Sequence, residues 1–389
     1  MADDYARLLE FAVTDKQREV LSVAAEHNSV SYAAKSLGIS RRTARTHLAT
    51  VKRYAAVQGY APEFDMTRPV PTTHIAKGIS TLYDKEGNVA AQWVKSTLNE
   101  ERYQELLKAA AQAFCDDIPT VAPVASPTTN LNSDLLNTFV ITDYHFGAKS
   151  WGEETGADWD LKIAEELLVK WFAAAIKQSP DAETALLLQV GDFLHFDGLE
   201  ALTPTAGHLL DADTRFQLVV RTAIRTLRCV VSMLLHKHKK VHVVMAEGNH
   251  DIASSVWLRE MLCALYEDEP RITIDRSPDV YYCYEHGLTS VFAHHGHKAK
   301  FDNLDAVLTA KFREVFGRTK YSYVHVGHYH HNRLKESALM TVEQHRTLAA
   351  PDAYASRGGY ISGRDAKVIT YHKRFGEIGR ISLSPEAVM

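Results

Sequence analysis

Ala185-Leu-Leu-Leu-Gln-Val190 runs straight into Gly191-Asp192-Phe-Leu-His195, and the reading of this stretch decides the fold. The apolar run has the length of a buried strand, and the Gly-Asp pair that stops it is turn chemistry. The same form recurs along the chain. Thr138–Thr142 precedes Asp143-Tyr-His145, and Val241–Ala246 precedes Gly248-Asn-His-Asp251. Val291–His294 leads into His294-His-Gly-His297, and Tyr323–Val326 into Gly327-His-Tyr-His330. Helical stretches are predicted between these runs at about 158–178, 211–237, 251–267 and 302–316, with a later strand at Lys367–Tyr371. Strand and helix in alternation predict an α/β layered core, and the tail adds β-on-β packing.

Open α/β sheets place ligands beyond the carboxyl ends of their strands, which is where all five motifs stand. Fifteen of the chain's 20 histidines fall between His145 and His331, and imidazole is both the commonest metal ligand and the usual proton carrier near neutral pH. Two divalent ions roughly 3.5–4 Å apart can hold a bridging hydroxide and clamp the attacking and leaving oxygens of a phosphate ester. Such a centre needs a bridging carboxylate, hard oxygen donors and neutral imidazoles. Asp192, emerging alone after a tight glycine, is the natural bridge. The mixed N/O donor set suits manganese, with iron or zinc as alternatives, better than calcium. His236, His238 and His242 read as partners of helix carbonyls or solvent, and His208 with Asp211 and Asp213 as caps of the following helix.

Taken in order, D-x-H, G-D, G-N-H-D, H-G-H and G-H-x-H resemble the calcineurin-like metallophosphoesterase superfamily over about residues 138–331. The resemblance implies a four-layer α/β/β/α sandwich with a dinuclear metal centre at one edge. It implies that Asp143, His145, Asp192 and His330 hold one metal, and that Asp192, Asn249, His295 and His328 hold the other. His294 and His297 stand beside His295 as rivals for its place. His250 is then the catalytic group that protonates the leaving oxygen or stabilises transition-state charge, with Asp251 as its helper. Where many phosphatases of the superfamily carry a second Asp, this chain has His195, with Asp197 two further on. G-D-x-x-H is similar to the double-strand-break-repair nucleases, in which that His helps position the DNA phosphodiester.

The amino-terminal 60 residues are predicted to be helical. Thr14 caps Asp15–His27, Ser29 or Ser31 opens a short helix that ends at Gly38, and Arg41–Gln58 forms a third. Between Asn28 and Tyr60 there is no acidic residue against six basic ones, although the whole chain carries a net charge of −4. Ser31–Leu48 resembles a response-regulator-like helix-turn-helix, which implies Ala33, Leu37, Ile39 and Val51 as core and Gly38 at the turn. It implies that Arg41, Arg42, Thr43, Arg45 and Thr46 face a DNA major groove while Lys52 and Arg53 meet phosphates.

The domain reading is therefore 1–60 helix-turn-helix, 61–116 a hairpin (Ile79–Leu82 with Val89–Val94) plus a helix at 99–114, 117–134 a Pro/Ser/Thr linker, and 135–389 the catalytic domain. Arg357-Gly-Gly-Tyr360 and Ser362-Gly-Arg364 read equally as lining of a substrate groove or as turns. Four scattered cysteines make no C-x-x-C pair, the acidic start lacks a signal peptide's apolar core, and no apolar run approaches the roughly 18 residues of a membrane span. A cytoplasmic protein with DNA as partner and no membrane is expected, in a bacterial host if the faint resemblance to bacteriophage proteins holds; a homodimer stays open. The leading expectation is a DNA nuclease. The alternatives are a phosphatase or cyclic-nucleotide phosphodiesterase with a regulatory helix-turn-helix, and a DNA-binding regulator with a vestigial esterase core.

Overall fold

The computed structural model describes residues 5–64, 66–67, 74–84, 89–98, 123–128, 130–204 and 209–389, which form two compact units, Met1–Asp116 and Asp117–Met389. The helix expected at 99–114, residues 117–122 and 129 of the expected linker, and His208 lie outside the described residues.

In the first unit α1 spans Asp15–His27, α2 Val30–Ser36 and α3 Arg41–Val57. Each start has a chemical cause. The Thr14 hydroxyl accepts the Gln17 amide while the Gln17 side chain accepts the Thr14 amide, a reciprocal capping box. Ser29 and Ser40 cap α2 and α3 through the amides of Tyr32 and Thr43. Val20, Ala34 and Ala44, one from each helix, share a buried cluster against which Leu37 and Ile39 pack. β1 (His74–Tyr83) and β2 (Val89–Leu98) then form an antiparallel hairpin longer than expected. The register shifts between Ala76 and Gly78, so Lys77 is bulged out and the period-2 signal is broken there.

The second unit is a mixed α/β structure around two sheets. Its elements are β3 (Asn132–Ile141), α4 (Leu161–Gln178), β4 (Ala182–Gln189), α5 (Phe216–Lys237), β5 (Lys240–Met245), α6 (Ile252–Leu265) and β6 (Ile272–Ile274). There follow β7 (Tyr282–His286), β8 (Thr289–His294), α7 (Leu304–Lys311), α8 (Arg313–Arg318), β9 (Tyr321–Val326), β10 (Arg333–Glu336), β11 (Thr341–Gln344), β12 (Ala366–His372) and β13 (Gly376–Leu383). One sheet has the order β13-β12-β3-β4-β5-β6, with β3 to β6 parallel; the other runs β10-β11-β9-β8-β7, with β11, β9 and β8 parallel.

Strand alternation sorts the side chains into layers. Leu136 and Val140 of β3, Leu186 and Leu188 of β4, and Val291 and Ala293 of β8 share one core between the sheets. Phe139, on the other face of β3, stacks on Phe172 of α4 at 5.7 Å. Phe292, Val324 and Val326 point the opposite way and pack on Leu304 and Leu308 of α7.

Two local expectations are corrected. The helix at 302–316 is broken at Phe312 (φ −113°, ψ 43°) into α7 and α8. Asp213 does not cap the helix that follows it: its carboxylate accepts the Leu161 amide at 3.1 Å, at the start of α4, and α5 begins at Arg215 without a side-chain cap. A capping carboxylate serves whichever helix end the fold brings within reach.

Behind the core lies a buried charge network absent from the sequence reading. Glu343 of β11 accepts Lys367 at 2.7 Å and Arg380 at 3.0 Å, both from the other sheet. His325 and His345 bond each other at 2.8 Å, and His325 bonds the Tyr371 hydroxyl at 3.0 Å. Burial opposes the Glu343 charge, but His345, His325 and Lys367 outweigh it and bring its pKa to about 2. A carboxylate lowered on folding stabilises above its unfolded pKa of roughly 4.3, and that contribution fades as pH falls towards the folded value. Glu343→Gln is therefore expected to cost about 3 kcal/mol at neutral pH by stranding Lys367. It should also flatten the loss of stability between pH 4.5 and 2, read from urea midpoints; the wild-type pH profile in the variant would refute the pairing.

Candidate metal centre

The parallel strands β3, β4, β5, β8 and β9 end on one edge, and each delivers its motif there. Tight turns make this convergence. Asp143, His145, Asp192, His328 and His330 all have φ between 49° and 74°, and they are five of the six non-glycine residues in the left-handed region among those described. Each such backbone costs on the order of 1 kcal/mol or more and persists where the surroundings over-determine it, typically at functional sites. Two glycines permit the approach: a Cβ on Gly248 would collide with the Asp192 carboxylate, and one on Gly327 with Thr142 and the Asp143 carboxylate.

Asp143 is fully buried. Its carboxylate accepts the His328 amide at 2.9 Å and lies 3.0 Å from His330 Nε2. Asp192 accepts the His250 amide at 2.8 Å. His295 donates Nδ1–H to the Val190 carbonyl at 2.8 Å, which fixes its tautomer and turns Nε2 inward. That Nε2 then faces Asp192 Oδ2 at 3.1 Å and Asn249 Oδ1 at 3.2 Å. Three lone pairs directed at one point need a positive charge between them. Burial resists a proton on His295, yet Asp192 and Asp143 outweigh it and raise its pKa to about 10. A divalent cation would satisfy the same three donors, and the donor set fits one.

The other donors are arranged to match. Asp143, His145 and His330 present ligand atoms within 4.8 Å of one another, as do Asp192, His295 and His328. Burial holds His145 and His328 below the usual imidazole range, so both present the neutral form that binds metals. Of the rivals of His295, His294 accepts the Gly296 amide at 2.9 Å, and His297 has both ring nitrogens buried without a hydrogen bond. The ligand atoms of His325, Glu343 and His345 also lie within 4.8 Å of one another, but the two histidines already bond each other and Glu343 already accepts from Lys367 and Arg380.

Three expected catalytic residues take distinct places. His250 donates Nδ1–H to the His195 carbonyl at 2.7 Å and lines the cleft, so Nε2 is its remaining nitrogen. His195 does not line the cleft. Its ring is 2% exposed, with Nδ1 3.3 Å from His145 Nδ1, Nε2 without a hydrogen bond, and the ring stacked on His250 at 5.5 Å. His195 is thus buried beside the cleft, not among the groups that line it. Asp251 bonds no imidazole: its carboxylate accepts the amides of Phe193, Leu194 and Gly248 at 2.7, 3.2 and 3.1 Å. It clips the Gly191 and Gly248 loops together. Asp197 accepts the Ala253 and Ser254 amides at the start of α6.

The cleft above these donors has a volume of about 650 Å³. It is also lined by Tyr329, which stands between His328 and His330 in the last motif, and by Tyr354, Tyr360 and Arg364 from the tail, of which Tyr354 lies outside the segments singled out in the sequence. Arg357 is turned to Glu154 instead. In the first unit Arg41, Arg42, Arg45 and Arg53 are exposed on α3, with no acidic partner among the described residues, and Lys52 is half-buried. Thr43 and Thr46 are exposed too, but their hydroxyls bond Ser40 and the Arg42 carbonyl. Among the described residues no helix is long and apolar enough to cross a membrane.

No family model matches the chain, and no curated protein matches it. Solved structures similar to it include a novel archaeal phosphodiesterase (15% identity, 64% of this chain and 99% of that one, TM-score 0.33). A dimetal phosphatase from Danio rerio is similar at 10% identity, 64% and 98% coverage and TM-score 0.33. A conserved uncharacterized protein from Streptococcus pneumoniae, a predicted phosphoesterase, is similar at 10% identity, 65% and 99% coverage and TM-score 0.28. Likenesses this distant carry no argument about the activity of this chain, which has to be read from its own donors.

Asp192→Asn keeps the acceptor for the His250 amide and removes the charge between the two donor groups. The bound divalent metal per chain, measured by elemental analysis after equilibration with Mn²⁺, is expected to fall well below wild type while the circular dichroism spectrum is retained. Undiminished metal content would exclude Asp192 as a ligand.

Proposed function

We propose that this chain is a metal-dependent phosphodiesterase, a nuclease whose amino-terminal helices deliver it to DNA. The observation that carries the reading is His295 Nε2, held by the Val190 carbonyl so that it faces the oxygens of Asp192 and Asn249 at one edge of a cleft. On this reading the stacked helices and sheets of the second unit are an α/β/β/α metallophosphoesterase sandwich. Asp143, His145, Asp192 and His330 would hold one divalent ion, and Asp192, Asn249, His295 and His328 the other. Mn²⁺ suits these donors, with Fe or Zn as alternatives. Bound there, the ions supply Lewis-acid activation of water and stabilise charge on the phosphate oxygens.

The protein's own groups do the rest. His250, anchored through Nδ1, holds its Nε2 proton towards the cleft and gives it to the leaving oxygen. His195 holds His250 by its carbonyl and by ring stacking, and Asp251 keeps the two loops that carry Asp192 and Asn249 in register. A core kept only as scaffold would need neither the five left-handed residues nor the inward-facing imidazoles.

For DNA, α3 supplies the reading face of a helix-turn-helix. Arg41, Arg42, Thr43, Arg45 and Thr46 stand over the first two turns, and Lys52 and Arg53 lie a further turn or two along for phosphates.

Two experiments test the two halves. With Mn²⁺ and a small phosphodiester, His250→Ala is expected to retain metal and lose about 100-fold or more in rate; a near-normal rate would remove His250 from the chemistry. The double variant Arg41→Ala, Arg45→Ala should weaken binding to linear DNA, read from a binding titration at fixed salt. Turnover of the small diester should not change. Parallel loss of both activities would contradict a separable DNA module, and intact DNA beside a hydrolysed small diester would sink the nuclease reading.

A further inference from the structure

We propose that the wall facing the candidate metal centre is a nucleobase platform, in which Tyr354 and Tyr360 stack the base attached to the phosphate; this rests on the phosphodiesterase reading above. Tyr354 and Tyr360 are 77% and 64% exposed, and their ring centroids are 6.0 Å apart at 35°. Tyr329, between the two histidines of the last motif, is 59% exposed on the same cleft. Tyrosines gain by burying their rings, so open rings beside reactive groups mark a surface that a ligand covers.

The platform is built rather than loose. Asp352 caps the short helix Ala353–Arg357 through the Ala355 amide at 2.7 Å. Ser356 donates to the Glu154 carbonyl at 2.8 Å, and Arg357 pairs with the Glu154 carboxylate. The Tyr360 ring lies against Gly358 in space that a Cβ would fill.

Charge identifies the occupant. Among the described residues Arg364 is the only Lys or Arg lining the cleft, and its guanidinium donates to the Leu348 carbonyl at 2.7 and 3.0 Å. A groove that tracks a polyanionic backbone carries cations along its length. This wall offers flat rings instead. A phosphorylated sugar, serine or threonine brings no planar group to meet them, whereas a base does, and stacking tolerates every base because each has a π-face. A base paired in a duplex is stacked on its neighbours. The cleft therefore takes an unpaired nucleotide, at a strand end or in single-stranded DNA.

The test compares the Mn²⁺-loaded wild type with Tyr354→Ala/Tyr360→Ala and Tyr354→Phe/Tyr360→Phe. Binding of thymidine 5′-monophosphate and of inorganic phosphate is measured by calorimetry, and KM with thymidine 5′-(p-nitrophenyl phosphate) and methyl p-nitrophenyl phosphate. The alanine pair is expected to weaken the nucleotide roughly tenfold, as for the loss of one stacked base, leaving phosphate binding unchanged and raising KM for the thymidine ester more than for the methyl ester; the phenylalanine pair should keep wild-type affinity. Nucleotide binding no tighter than phosphate, or equal in wild type and the alanine pair, overturns the platform. Hydrolysis of neither ester alongside tyrosine-dependent nucleotide binding would leave the platform standing and remove the phosphodiesterase reading.

Discussion

Asp143 joins the two sheets. It ends β3 in one sheet, its carboxylate accepts the amide of His328 and faces the imidazole of His330 beyond β9 in the other, and its carbonyl accepts the Thr347 hydroxyl at 2.6 Å beyond β11. A carboxylate with no exposed surface is tolerable only when donors surround it. Burial opposes its charge, and His330 with His295 more than compensates, holding it below the ordinary carboxylate range. Three loops from two sheets thus meet on one residue, and the left-handed backbone at Asp143, His328 and His330 is what lets them meet.

The carboxyl end of β4 has a comparable role towards the imidazoles. Val190 supplies the carbonyl that orients His295, the turn after it supplies Asp192, and the His195 carbonyl a few residues on orients His250. Partners of this kind fix which nitrogen of a histidine is free. One strand end therefore sets the direction of two imidazoles carried by other loops, so the centre is organised by backbone that no substitution of a side chain can directly remove.

How much of this was legible in the sequence follows from the range of each interaction. A strand followed by Gly-Asp or Gly-Asn-His-Asp is local, and each such pair stands at the end of a strand in the structure. The caps of α1, α2 and α3 are local as well: Thr14 was legible in place, Ser29 as one of two candidates, and Ser40 is shown as a cap by the structure. Long-range pairing could not. Asp213 looks like a cap for its own neighbour and reaches Leu161 instead; Glu343 sits in an unremarkable four-residue strand until Lys367 and Arg380 arrive from the other sheet. The direction of a ring is equally invisible: His195 belongs to the motif by spacing, yet it is turned inwards against His145. Tyr354 gave no signal because an aromatic residue in a Gly-containing tail has no period, and only the cleft shows what it faces.

Affinity and chemistry are distributed unequally along the chain. The net charge of −4 conceals a segment from Asn28 to Tyr60 with six basic residues and no acidic one, while the cleft of the second unit is lined by a single arginine already bonded to a carbonyl. A protein that took all its hold on DNA from the catalytic cleft would need cations there, close to donors that must stay available for metal. Placing the cations on a separate helical unit removes that conflict. On the proposed reading the cleft is then free to recognise what long-range charge cannot distinguish, the flat face of one base, and the phosphate beside it would fall to the donors of Asp143, Asp192 and their histidines.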